Sequence, residues 1–208
     1  MRAALVLGLA VVIAACTGTS SDARKHKKRP PATTGWYFSY GDPNPTTQAD
    51  GVSSIWTASP RVEPHYWLKN WTTPFKPEQT ISITYKIDAM SGAPVVKSTE
   101  CATWQDKSAL AALMIRKSTN NSDYFNRAWY TVRGPMTVGT HTISAPFGDG
   151  TDWTFVSAGA AGNPAKWADI LARPIDVALT FNGCSSMGHG AYVEGGSIKI
   201  TIVSVTVQ

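Results

Sequence analysis

Period-two alternation of apolar and polar residues constrains this chain more than any other feature. Ile81, Ile83, Tyr85 and Ile87 alternate with Ser82, Thr84, Lys86 and Asp88. Ile175, Val177, Leu179 and Phe181 alternate with Asp176, Ala178 and Thr180. Ile198, Ile200 and Ile202 alternate with Lys199 and Thr201; the phase then slips, and Val203, Val205 and Val207 alternate with Ser204 and Thr206. Such a period places the apolar set on one face of a strand. The slip predicts a β-bulge or a strand that changes partner sheets. Shorter strand candidates are Val52–Thr57, Val95–Ser98, Ala128–Arg133, His141–Ala145 and Thr151–Val156, with Gly and Pro between them. A short helix is predicted from Asn163-Pro164, with Trp167, Ile170 and Leu171 on one face, up to Arg173-Pro174. Ser108–Lys117 fits helix by propensity and strand by alternation. Many short strands, one or two short helices and no βα alternation predict an all-β, two-sheet sandwich.

The sandwich is expected over residues 36–208, because what precedes has a different character. Leu5–Ala15 is an apolar run of eleven residues behind Met1-Arg2. That is too short for a hydrocarbon core about 30 Å thick, and the pattern is that of a signal peptide over residues 1–15. The run ends Ile13-Ala14-Ala15-Cys16, which resembles the bacterial lipoprotein lipobox. That resemblance implies lipidation of Cys16, a membrane partner through the anchor, and a place in the cell envelope outside the cytoplasm. Residues 16–35 then read as the lipidated Cys and a linker of Ser, Thr, Pro and basic residues without hydrophobic period.

Charge and cysteine placement narrow the partners. The formal net charge is +5, but Arg2 and the run Arg24, Lys25, Lys27, Lys28 and Arg29 account for the excess. From Trp36 onward thirteen Lys/Arg face thirteen Asp/Glu, so no nucleic-acid partner is expected. Beyond Cys16 there remain Cys101 and Cys184, most simply one disulfide in an exported domain.

The second half carries a recurring cadence. It runs from Arg116-Lys117-Ser118-Thr119-Asn120-Asn121 through Tyr124–Tyr130, Trp153 and Trp167. It continues through Val177–Gly183 and Gly188-His189-Gly190 to Gly195-Gly196-Ser197. This resembles a group of bacterial and phage β-sandwich proteins similar to carbohydrate-binding modules with a galactose-binding-like jelly roll. The resemblance covers roughly residues 103–207, departs from the group at Ala128, and contains no catalytic motif. It implies a jelly-roll-like sandwich, requires a strand at Ser108–Lys117, and implies a ligand on end loops or on one concave sheet.

The residues themselves lean towards sugar. Eight Trp, seven Tyr and six Phe offer planes for the apolar faces of sugar rings. Tyr66, Trp67 and Trp71, in a Pro-rich stretch read as strand-poor, are the expected platform. The glycine-rich loop Gly183–Gly196 presents His189 and Tyr192 as polar partners; packing of His189 against that loop is the competing reading. Trp129, Trp153 and Phe181 are assigned to the core. Asp149 with Asp152, or Asp42, Asn44 and Asp50, offer oxygens for a structural Ca²⁺, but turn chemistry explains both runs and no cofactor is expected. No Gly-x-Ser-x-Gly or His-Glu-x-x-His occurs, and no carboxylate pair stands out. The leading expectation is non-catalytic glycan binding. Its alternatives are a polysaccharide lyase, using His189, His141 or His65 with a Tyr and an Arg such as Arg127, a glycoside hydrolase, and an envelope structural or interaction protein.

Overall fold

The alternating stretches all form strands, and they hold the middle of two antiparallel sheets. The computed structural model describes residues 35–39, 47–58, 66–98, 108–120, 123–156, 158–182 and 190–208. The seven-stranded sheet runs in the order β1 (Trp36–Ser39), β3 (Tyr66–Asn70), β10 (Asp176–Asn182), β5 (Leu110–Arg116), β6 (Arg127–Tyr130) and β9 (Trp153–Thr154). Its seventh strand, β7 (Gly134–Pro135), also pairs with β5. The four-stranded sheet runs β2 (Ser53–Thr57), β11 (Ala191–Val207), β4 (Thr80–Ser98), β8 (Gly139–Pro146). The chain is therefore an all-β two-sheet sandwich with one short helix, α1 (Pro164–Ala172). Cys16, Cys101, Cys184 and His189 lie outside the described residues.

The inner faces are what the alternation predicts. Trp67, Val177, Leu179, Leu113 and Ile115 from one sheet share a buried cluster with Ile81, Ile83, Tyr85, Ile198 and Ile200 from the other. The phase slip after Ile202 is a register irregularity between Ile202 and Ser204 in the β11–β4 ladder. Val203 is the extra, exposed residue, and Val205 and Val207 return to the inner face. A second irregularity in the same ladder requires glycine: Gly92 has φ +64°, and a Cβ there would stand 2.2 Å from the Gly195 carbonyl oxygen. Ser108–Lys117 contains β5, a strand and not a helix.

Several strands differ from the sequence reading. Trp36–Ser39, Tyr66–Asn70 and Gly134–Pro135 are strands that the alternation did not reveal, Val95–Ser98 is the end of the long β4, and Thr151–Val156 contributes only Trp153–Thr154. In β3 the run Tyr66-Trp67-Leu68 is buried at every position. A strand covered on both faces loses its alternation, which is why it did not read as one.

Aromatic packing closes one end of the sandwich. Trp153 lies 5.7 Å from Phe147, 5.3 Å from Trp167 of α1 and 5.5 Å from Tyr130, centroid to centroid. Its Nε1 donates to the Pro146 carbonyl at 2.8 Å. Helix α1 buries Trp167, Ile170 and Leu171 against this group. Trp153→Ala is expected to destabilise the protein by about 3–5 kcal/mol, measured as a shift of the urea midpoint without change of slope.

Candidate functional site

Strand register decides which side of the seven-stranded sheet each aromatic faces. Across the sheet, Tyr37 stands opposite Leu68, Leu68 opposite Ala178, Ala178 opposite Met114, Met114 opposite Trp129, and Trp129 opposite Thr154. This row lies on the outer face, because its neighbours along each strand (Phe38, Trp67, Leu179, Leu113, Ala128) belong to the inter-sheet core. On either side of the row run Asn70–Asp176–Arg116–Arg127 and Tyr66–Thr180–Ala112.

An outer sandwich face is ordinarily polar, and this one is not. Tyr66, Leu68, Ala112, Met114, Trp129 and Ala178 form a buried cluster of their own, with Tyr37 packed against it. Ala112 and Ala178 carry nothing beyond Cβ. Arg127 lies over this face between Tyr66 and Trp129, its guanidinium carbon 5.4 Å from the Trp129 ring and 6.0 Å from the Tyr66 ring. Trp129 is 3% exposed and Tyr66 8%, so neither ring offers an open plane while Arg127 stays in place, and the Trp129 Nε1 donor is buried with no hydrogen-bond partner.

One edge of the face is pinned by an ion pair. Arg116 Nε and an η nitrogen donate to Asp176 Oδ2 at 2.9 and 2.6 Å, and the Tyr37 hydroxyl donates to Oδ1 at 2.8 Å. Asp176 is fully buried. Its charge is tolerated there because both oxygens are engaged by strong donors.

The expected platform is not assembled as the sequence suggested. Tyr66 and Trp67 occupy a strand, so they point to opposite faces. Tyr66 joins the outer cluster, whereas Trp67 is 0% exposed in the inter-sheet core, stacked on Phe38 at 5.3 Å. That burial leaves Trp67 no surface on which a ligand stacks. Trp71 is half-buried, stacked on Phe75 at 5.6 Å, with Nε1 donating to the Thr73 carbonyl at 3.0 Å. Tyr192 stands opposite Lys97 in the other sheet. Burial and the neighbouring Glu194 carboxylate push its hydroxyl above the usual phenol range, and Glu194 itself pairs with Lys97 at 2.6 Å. Tyr66, Trp71 and Tyr192 thus do not converge. Trp153 and Phe181 are core as expected; Trp129 is buried too, but on the outer face.

Asp50 and Asp149 sit in turns, while Asp42, Asn44 and His65 lie outside the described residues. Asp50 Oδ1 accepts the Val52 and Ser53 amides and its Oδ2 the Ser53 hydroxyl, and Asp149 Oδ1 accepts the Thr151 amide and hydroxyl. These bonds, led by those from the Ser53 and Thr151 side chains, hold both carboxyls below the usual carboxylate range. Among the described residues no group of three metal-ligating side chains gathers, and no helix is long and apolar enough to cross a membrane.

No protein-family model matches the chain, and no curated protein does. Among solved structures it is similar to a xylan-binding module, CBM15. The match has 14% identity and a TM-score of 0.37, and covers 84% of this chain and 95% of that one. A likeness this distant adds nothing to the chemistry, which rests on the face itself.

The sequence reading missed Tyr37, Arg116 and Asp176 as members of one face. The available signal was Leu110–Arg116, a strand apolar on both faces, which a sandwich needs only where the outer side is also covered or used. Arg116→Ala would strand the buried Asp176 carboxylate and should cost about 3–5 kcal/mol, read as a lowered urea midpoint. Trp71→Ala, at a half-buried site, should cost markedly less in the same measurement.

Proposed function

We propose that this protein is a non-catalytic glycan-binding sandwich that holds a neutral sugar chain on the outer face of its seven-stranded sheet. One observation carries the reading: Tyr66 and Trp129, on a face that a sandwich has no packing reason to make aromatic, both stand within 6.0 Å of the one half-buried Arg127 guanidinium. Rings supply planes for the C–H faces of a pyranose, and polar groups beside them supply partners for its hydroxyls. Trp36–Gln208 is formally uncharged, which suits a neutral ligand. Glycoside hydrolysis needs two carboxyl groups flanking the bond. On this face, among the described residues, Asp176 is the carboxylate, and it is already committed to Arg116 and Tyr37. That geometry favours binding over cleavage.

Calorimetry with neutral oligosaccharides (hexamers of β-1,4-linked glucose, xylose, mannose and N-acetylglucosamine) tests the reading. Binding of at least one is expected at roughly micromolar to millimolar affinity, about −8 to −4 kcal/mol. Tyr66→Ala should weaken it at least several-fold, while Trp71→Ala leaves it unchanged. Absence of binding to every neutral glycan would remove this reading and favour an envelope interaction protein.

We further propose that the domain is displayed on the cell envelope through a lipid on Cys16, after removal of residues 1–15. The Ile13-Ala14-Ala15-Cys16 sequence behind a short apolar run supports this, and two or more acyl chains give stable anchoring. Cys16→Ser should move the protein from the membrane to the soluble fraction. An intact mass without acyl groups on the wild-type chain would overturn the anchor.

A further inference from the structure

The guanidinium of Arg127 stands within 6.0 Å of the centroids of both Tyr66 and Trp129, in the space where a stacked sugar ring would lie. Arg127 belongs to the same outer-face row as Arg116, at the start of β6, and its side chain is half-buried. Beneath it the Trp129 indole donor is buried without a partner. A buried donor left unmade is costly, and a native structure that keeps one calls for an explanation.

These features have one account in common. Resting on the glycan-binding reading above, we infer that the space between Tyr66 and Trp129 is a single-pyranose subsite, closed in the free protein by Arg127 and read by the Trp129 N–H. A planar guanidinium is attracted to aromatic faces and is only weakly hydrated, so it is a good temporary occupant of such a slot. A sugar ring entering the slot displaces it to the rim. In its place a ring or hydroxyl oxygen of the sugar accepts the indole proton. Closing the slot keeps two aromatic rings out of water when no sugar is bound, at the expense of affinity when one is.

Two substitutions and one resonance test this. In the free protein, the Arg127 Nε–H signal should be shifted upfield by the two rings, and saturating oligosaccharide should return it towards an unstacked position. Arg127→Ala should bind the same oligosaccharide roughly tenfold more tightly, since no occupant has to leave; a merely structural role for Arg127 would weaken binding instead. Trp129→Phe keeps the apolar ring, removes the donor, and should weaken binding roughly fivefold. An Arg127 signal that stays shifted at saturation, or unchanged affinity in Trp129→Phe, would overturn the inference and leave glycan binding standing. Without any glycan, Arg127→Ala should also speed hydrogen exchange at the Trp129 indole, identified by its loss in Trp129→Phe. Unchanged exchange there would overturn the gate whether or not a sugar binds, whereas failure of every oligosaccharide to bind the wild-type protein would remove the broader reading.

Discussion

The pairing of β10 with β5 is the constraint on which both the core and the candidate site depend. Its register runs without a break from Asp176↔Arg116 to Asn182↔Leu110. Odd positions of β10 (Val177, Leu179, Phe181) enter the inter-sheet core, while Asp176, Ala178 and Thr180 face outward. A slip of one residue would exchange the two sets, driving Asp176 into the core and Leu179 onto the outer face. The Asp176–Arg116 pair opposes such a slip, because only the observed register places the guanidinium against Oδ2 and leaves Oδ1 for Tyr37. The ion pair thus specifies alignment more than it adds stability, the role for which buried pairs are best suited.

The two sheets differ in what they show to the outside, and the contrast bears on function. The outer face of the four-stranded sheet is conventional. Ser82 pairs with Ser144, Thr84 with Thr142 and Ser91 with Ser197 through exposed hydroxyls at 2.7–2.9 Å. Such pairs keep a strand face wet while satisfying its propensity for β-branched residues. The seven-stranded sheet carries Leu68, Met114, Ala178 and Trp129 at the corresponding outward positions. Both sheets already have a full inner face, so the second apolar layer is not needed to close the sandwich.

The inner layer was legible in the sequence because exposure on one side leaves a period of two. Ile81–Ile87 and Ile198–Ile202 show it, and even the bulge after Ile202 is visible as a change of phase; Val177–Phe181, buried on both faces, keeps the alternation because Asp176 and Thr180 on its outward side are polar. The outer layer was not legible for the converse reason. Tyr66-Trp67-Leu68 and residues 110–115 are covered on both faces, and a strand whose outward residues are apolar as well carries no parity signal. The Pro-rich surroundings of Tyr66 and Trp67 then resembled a loop, although the chain there adds a strand between β1 and β10.

The same physics explains why the aromatic residues changed places relative to the sequence reading. In a loop, Trp67 would be the larger exposed plane and Tyr66 its companion; in a strand they must part, one residue to each face. Once β3 pairs through Leu68↔Ala178, Trp67 is drawn against Phe38 and Trp36 at 5.3 and 5.5 Å, and Tyr66 is left to the outer side. Trp129 follows by the opposite route. Its strand looks like core from composition alone, but Met114↔Trp129 and Ile115↔Ala128 give the inward position to Ala128. The small residue at position 128, where the resemblance departs from its group, is thus the one that faces inward, while Trp129 beside it is turned to the outer face next to Met114. Two decisions of strand parity, at β3 and β6, are therefore enough to bring one member of an expected loop platform and a tryptophan assigned to the core into one cluster on the outer face of the same sheet.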